Sequence, residues 1–204
     1  MLRTAMEFLS GELGAYIARK DPAMFQNEIA VLASSLMRTD GTFAITGNQG
    51  GETFRIVMTL VNLEEDRIAE SQQYYQKIND KVQFFNPPVN LNAYVLLSSM
   101  ADNYLSELRL LSYIITFFQA NPVFDEERFP HLNNRVEPEK PWLKIGKLIT
   151  SLHPITFEQQ NNLWAAIGAK YMPSVLYKIR TITFIDTEPK FEAPPVTEIR
   201  VYDN

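Results

Sequence analysis

The sequence contains no cysteine, and this absence removes several classes of chemistry. Disulfide bonds, thiolate metal sites and cysteine nucleophiles are all excluded. Histidine is scarce as well, because only His131 and His153 are present. They lie in separate loop-like segments, and neither has a second metal ligand at helical or strand spacing. We therefore interpret both as surface or structural residues and expect no metal site.

Positive charge is in the minority, since 19 lysines and arginines face 24 aspartates and glutamates, for a formal net charge of −5. Nucleic-acid-binding domains usually carry a basic patch, and no Lys/Arg cluster occurs here, so we expect no nucleic-acid partner. Long apolar runs are also missing: none approaches the ~20 residues that span a membrane. Glu7 and Glu12 interrupt the apolar core that a secretory signal would need. We expect a soluble chain with no membrane partner.

Motifs of enzyme active sites are missing too. The one glycine-rich loop, residues 46–53, has Glu52 where a phosphate-binding loop needs a lysine. Carboxylates cluster at 64–66 and 125–127, but these segments are polar, and acid–base catalysis usually needs one buried member with a raised pKa. No serine lies in a G-x-S-x-G motif. The sequence therefore predicts no enzymatic activity and no cofactor.

Three segments predict helices. The first carries one apolar stripe, with residues spaced alternately by four and three. The second, residues 101–120, is apolar around most of its circumference and ends at Asn121-Pro122. The third begins at Thr156 and Gln159, which match a capping box, and is expected to end at Pro173. The first stripe comprises Leu2, Met6, Leu9, Leu13 and Tyr16, and the polar stripe of the second helix comprises Arg109, Ser112, Thr116 and Gln119.

The remaining apolar segments predict strands. Residues 91–97 are apolar on both faces, which indicates a central strand. Residues 64–88 lack a clean period, and we interpret them as a loop with helical turns. Together these elements predict one α+β domain in which a mainly antiparallel sheet is flanked by helices. The other predicted strands cover residues 29–33, 42–46, 54–61, a piece of 142–154, and 174–185.

Two features remain after these assignments. The second helix is too apolar for an ordinary surface helix, so an apolar flank is expected to meet a partner, with Leu110, Tyr113 and Phe117 as candidate contact residues. The last segment, 187–204, holds three prolines and then a short β-capable run, which predicts an extended C-terminal arm. Its candidate contact residues are Thr197, Ile199 and Val201. An arm of this kind can add to the edge of another sheet.

Three blocks, "NPPVNLNAYVLLSS", "LRLLSYIITFFQANPVF" and "LWAAIGAKYMPSVLYKIR", carry a family resemblance. They resemble the tail-terminator, or cap, proteins of phage-tail-like contractile injection systems, especially those from Bacteroidetes. The resemblance is clearest over residues 86–180. It identifies residues 1–186 as the terminator domain.

The resemblance implies a structural protein without enzymatic activity or cofactor. Such proteins form a homo-oligomeric, hexameric ring on the baseplate-distal end of the inner tube and sheath. The ring ends tube growth and anchors the sheath. Assembly is expected in the cytoplasm, within a particle that is then membrane-anchored or released. A different hypothesis from the residues alone is a soluble binding module or assembly chaperone with an apolar groove beside the second helix.

Overall fold

The structure, a computed structural model, describes eight segments of the chain: 1–22, 29–33, 55–66, 74–78, 81–85, 89–140, 143–184 and 191–193. The predicted strand 42–46 and the glycine-rich loop lie outside the described residues. In chain order the described segments contain α1 (Leu2–Lys20), β1 (Ala30–Leu32), β2 (Arg55–Glu65), β3 (Tyr74–Ile78), β4 (Lys81–Phe85), β5 (Val89–Met100), α2 (Tyr104–Ala120), β6 (Val123–Asp125), β7 (Lys147–Leu152), α3 (Phe157–Ile167), β8 (Ser174–Phe184) and β9 (Phe191–Ala193).

Six strands form the main sheet in the order β1-β2-β5-β8-β7-β6. Only the β1–β2 pair is parallel, and the other four pairs are antiparallel. Strand β5 lies between β2 and β8, so the prediction of a central strand is confirmed. Its side chains alternate between the two faces: Val95 and Leu97 point to one buried cluster and Leu96 to the other. The predicted α+β class with a mainly antiparallel sheet is confirmed.

Helices α1 and α2 cover the same face of this sheet and share its larger core. The Phe117 ring lies 5.4 Å from Tyr16 of α1, and the Phe118 ring lies 4.3 Å from Tyr177 of β8. Phe124, in the short strand after α2, closes the group against Phe117 at 5.9 Å. The sheet and α1 therefore cover two sides of the apolar helix within the chain itself.

The ends of α2 follow from its flanking asparagines. The Asn103 side chain accepts a hydrogen bond from the Ser106 amide at 2.9 Å, which is a typical N-cap. At the other end the Asn121 side chain donates to the Phe117 carbonyl at 3.0 Å, and Pro122 prevents continuation. The stripe predicted to be polar is exposed along its length, so the predicted helix phase is confirmed.

Helix α3 covers part of the opposite face of the sheet. Its buried Trp164 packs in a second core with Val57, Leu96 and Leu176. The predicted capping box is present, because the Thr156 and Gln159 side chains each accept a hydrogen bond from the other residue's amide, at 3.2 and 2.9 Å respectively.

The predicted end of α3 at Pro173 is wrong. The helix ends at Ile167, and Gly168 adopts a left-handed conformation with φ of 70°. A left-handed residue after a helix reverses the chain and satisfies the last carbonyls, and glycine adopts it without the strain of a Cβ. The glycine is the sequence signal for this end, and it stops the helix before the more distant proline can.

The loop predicted for residues 64–88 is also wrong in large part. Strand β2 continues to Glu65, and β3 and β4 pair antiparallel in a second, three-stranded sheet. The adjacent aromatic pairs Tyr74-Tyr75 and Phe84-Phe85 break a strict two-residue period in these strands, yet Asn79-Asp80 between them matches the spacing of a hairpin turn. The third strand of this sheet is β9, which pairs with β4. The beginning of the predicted arm is thus a strand on the chain's own small sheet.

A polar network joins the central strands where α3 no longer covers them. The Tyr94 hydroxyl donates to the Glu64 carboxylate at 2.5 Å, and the Lys178 ammonium donates to the same oxygen at 3.2 Å. Lys178 also lies 5.2 Å above the Tyr94 ring, and the His153 ring meets that ring edge-on. The hydrogen bonds from Tyr94 and then Lys178 hold the pKa of Glu64 below its ordinary value.

The first prediction tests the phase of α2. Ile114→Asp and Phe117→Asp place a carboxylate in the core, which costs several kcal/mol against a total stability of about 5–15 kcal/mol. Both variants should fail to fold, whereas the exposed Thr116→Asp should remain folded with a small change in Tm. Circular dichroism melts of soluble protein measure this. Equal loss of folded protein for all three variants would contradict the packing described.

The second prediction concerns acid stability. A carboxyl whose pKa is lower in the folded state than its ordinary value of about 4.3 stabilises the fold at any pH above that ordinary value. This stabilisation is lost as the pH falls through the pKa of the carboxyl in the folded state. Glu64→Gln should therefore lower Tm at pH 7, and the difference from the parent chain should vanish once the pH lies well below the lowered pKa of Glu64. Glu127→Gln, in an exposed loop, is the matched control and should change Tm at neither pH. A Glu64→Gln deficit that persists undiminished in acid would argue against the network.

Candidate docking surfaces

The structure places the three candidate contact residues of α2 mostly inside the chain. Leu110 and Phe117 are 0% and 2% exposed, because α1, the sheet and the residues after α2 enclose them. Tyr113 is half-buried, and its hydroxyl donates to Asp21 at the end of α1, at 3.1 Å. In the isolated chain, neither Leu110 nor Phe117 offers a surface to a partner. The three candidates on the arm, Thr197, Ile199 and Val201, lie outside the described residues.

Asp21 fixes α1 to α2. This carboxylate is almost completely buried, and its Oδ2 lies 2.5 Å from the Arg109 guanidinium, in addition to the Tyr113 hydrogen bond. A buried carboxylate needs such partners, since removal from water is costly. The hydrogen bond with Tyr113 and then the charge of Asp21 raise the pKa of Arg109 above its ordinary value. Arg109 and Tyr113 are therefore committed to the packing of two helices.

Other apolar residues of α2 are exposed, and they form a surface that we name the α2 outer face. It comprises Tyr104, Leu105, Leu108 and Ile115. Leu105 is 78% exposed, and Leu108 and Ile115 follow along the same side of the helix at 37% and 39%. The sequence does not predict that these four residues are the exposed ones, because apolar residues occupy most of the circumference of α2. Periodicity alone does not show which of them α1 covers.

A groove runs between α1 and the outer strand of the main sheet. It encloses about 490 Å³, and we name it the α1–β1 groove. The wall on α1 consists of small side chains, and β1 forms the opposite wall. The alternative hypothesis places a groove beside α2, whereas this one lies beside α1. Its lining residues are Glu7, Ser10, Gly11, Gly14, Ala15, Ile29, Ala30, Val31, Leu32 and Arg135.

One end of the α1–β1 groove is defined by Glu7 of α1 and Arg135 of the long loop 126–140. Arg3 and Arg135 both approach Glu7, at 2.8 and 3.7 Å. The hydrogen bond from Arg3 is the largest cause of the lowered pKa of Glu7. The same loop contributes His131, whose Nε2 lies 2.7 Å from the Glu12 carboxylate. A long loop held this firmly forms part of a permanent surface.

The loop is also anchored from its own side. Asn133 exchanges two hydrogen bonds with the main chain of Ile145, at 2.8 and 2.9 Å, and its amide also donates to Glu126 at 2.8 Å. Phe129 stacks on Phe124 at 4.9 Å, which continues the aromatic core outward. His131 therefore belongs to a set of contacts that position the loop, in agreement with its interpretation as a structural residue.

The candidate carboxylates are engaged in structural contacts as well. Glu64 belongs to the network with Tyr94 and Lys178, and Asp125 accepts a hydrogen bond from the Arg128 amide at 3.0 Å. Within the described residues, no three His, Cys, Asp or Glu side chains lie close enough together to hold a metal ion. Among the helices of the described segments, none is long and apolar enough to cross a membrane. Among the described residues, the α2 outer face and the α1–β1 groove are the candidate docking surfaces.

Comparison with known proteins gives consistent results. The sequence matches the family described as the Pvc16 N-terminal domain over residues 4–198. A cryo-EM structure of the PVC sheath/tube terminator of an extracellular contractile injection system, in the extended state, superposes with a TM-score of 0.56 at 14% identity, covering 95% of this chain and 62% of that one. Comparison with curated proteins finds no significant relative.

The cryo-EM structure of the tube-terminating cap of the anti-feeding prophage superposes equally well, with a TM-score of 0.56 at 15% identity, covering 99% of this chain and 60% of that one. The chain thus spans about three fifths of the length of each of these two proteins. Nearly all of this sequence lies within the family match. The chain therefore belongs to the family described as the Pvc16 N-terminal domain.

Proposed function

We propose that the protein is a cap of a contractile injection system, which binds the baseplate-distal end of the inner tube and sheath, ends tube growth and anchors the sheath. The observation that carries this proposal is the family match over residues 4–198, together with a fold shared with a sheath/tube terminator and a tube-terminating cap. The role is structural, without catalysis, and the partners are the tube and sheath proteins.

A cap for a sixfold tube needs contacts between its own copies, and we propose a hexameric ring. The α2 outer face supports this proposal because it is the apolar part of α2 that the chain itself leaves exposed. Apolar surface on a soluble protein is a common feature of contact sites. Leu105 lies in the first turn of α2, at the rim of the molecule, where a neighbouring copy can reach it without disturbing the core.

The domain division supports the same proposal. Residues 1–186 form the cap domain, and residues 187–204 form the C-terminal arm. Strand β9 fixes the beginning of the arm on β4. The residues after Ala193 would then be the part of the arm that links the cap to a neighbouring copy or to the last layer of the sheath.

The third prediction tests the α2 outer face in assembly. When tube, sheath and baseplate proteins are co-expressed, omission of the cap should give tubes of uncontrolled length by electron microscopy. Leu105→Asp should have the same effect as omission, because it places a charge in an apolar contact. The variant should still fold, since an acidic residue in the first turn of a helix is favourable.

Phe157→Asp is the matched control. Phe157 is 92% exposed, is the first residue of α3 and lies over the opposite face of the sheet. This variant should cap tubes normally. Normal capping by Leu105→Asp, or loss of capping by Phe157→Asp alone, would show that the α2 outer face is not the contact. Uniform tubes without the cap protein would overturn the function itself.

The fourth prediction concerns the absence of a cofactor. Thermal melts with ATP, Mg²⁺ or Zn²⁺ should coincide with the melt of the protein alone, because binding of a ligand to the folded state raises Tm. The sequence has no cysteine, and its glycine-rich loop has no lysine. A saturable rise in Tm with any of the three would contradict a purely structural role.

A further inference from the structure

The α1–β1 groove lies beside an edge of the main sheet that can accept another strand. The Ile56 amide donates to the Ile29 carbonyl at 2.7 Å, and the Ala33 amide donates to the Met58 carbonyl at 3.2 Å. Alternate residues of a strand direct their main-chain groups to the same side. Residues 29 and 33 therefore face β2, and the main-chain groups of Ala30 and Leu32 point to the outer edge.

The wall of the groove on α1 leaves room for the side chains of an added strand. A Cβ built on Gly11 would meet nothing within 4 Å, and one on Gly14 would lie 3.5 Å from Ile29 Cγ2, an ordinary contact. Interior glycine is less favourable in a helix than alanine, and packing within the chain requires neither glycine. Beneath them, Leu32 is exposed although its strand neighbour Ala30 is buried under α1. Among the residues that the structure describes, the groove thus has an apolar floor, a main-chain edge that pairs with no further strand, and space above it.

The chain itself carries a segment of matching pattern. Strand β9 ends at Ala193, and Pro194 and Pro195 lack the amides that would continue its ladder on β4. Only these two prolines separate Ala193 from Val196, so a strand that starts at Val196 begins within roughly 10 Å of the end of β9. Thr197, Ile199 and Val201 alternate with Glu198 and Arg200, so an added strand would place apolar side chains under α1 and charged ones on the other face.

We propose that residues 196–202 of a second copy of this chain add to β1 as a strand and fill the α1–β1 groove. This inference rests on the proposed ring. A closed ring uses a head-to-tail interface, in which each copy presents two different, complementary surfaces. The groove and the C-terminal segment are such a pair, since every copy has one of each. Main-chain hydrogen bonds supply affinity, and the alternating side chains set the register.

Disulfide cross-linking tests the proposal directly, because the chain has no native cysteine. A purified Gly11→Cys chain is mixed with a purified Ile199→Cys chain at high protein concentration and oxidised. Since each chain carries a single cysteine, a product that joins the two variants forms only between copies. The control replaces Gly11→Cys by Gly146→Cys. Gly146 also has nothing within 4 Å of a Cβ, but it immediately precedes β7, far from β1 in the strand order.

The expected result is a mixed dimer with the Gly11 variant and none with the Gly146 variant. A chain with Ala15→Cys should likewise form a mixed dimer with the Ile199→Cys chain, and Gly11→Leu added to the Ala15→Cys chain should abolish this cross-link by filling the groove. Gly11→Ala in the same background should preserve it. Both substitutions should keep or raise Tm, which shows that the fold is intact.

Two results would overturn the proposal: no mixed dimer, or equal dimer yields at Gly11 and Gly146. Capping of tubes by the parent chain is measured separately. Normal capping without the cross-link would reject the docked strand and leave the proposed function standing. A cross-link in a chain that does not cap tubes would support the docked strand and reject the proposed function.

Discussion

The need to cover an apolar helix organises this structure. Helix α2 has only a narrow polar stripe, and exposure of the rest of its circumference to water is unfavourable. The sheet covers one side through Phe118 and Tyr177, and α1 covers another through Tyr16 and Phe117. The Asp21–Arg109 ion pair fixes the end of α1 to α2, and the aromatic residues after α2 extend the same core to loop 126–140. A loss of α1 would therefore expose most of the larger core.

This packing also determines which surfaces remain for partners. The chain uses Leu110 and Phe117 for its own core, and among the described residues it leaves the α2 outer face and the α1–β1 groove accessible as the proposed contact surfaces. Both surfaces lie on the side of the sheet that α1 and α2 cover. A ring built from these surfaces would keep the helices between copies, and the opposite face of the sheet, with α3 and the Glu64 network, would face elsewhere.

Local pattern predicted much of this fold, and the errors have physical causes. The two-residue period of β5 and the capping box of α3 depend on neighbours in sequence, and both were predictable. The period does not predict the β3–β4 hairpin, because adjacent aromatic residues interrupt the alternation in both strands. The Asp21–Arg109 pair joins residues far apart in sequence, so no local sequence pattern predicts it. Which apolar residues of α2 remain exposed for contacts depends on how α1 packs against the helix. The sequence of α2 alone carries no information about that packing.

The central claim is that this chain terminates the tube at the end opposite the baseplate. Electron microscopy of assembled particles with a gold-labelled tag on this chain tests it most directly. We predict label at one end only, opposite the baseplate, in both extended and contracted particles. Label along the tube, at the baseplate, or on no particle at all would contradict this claim.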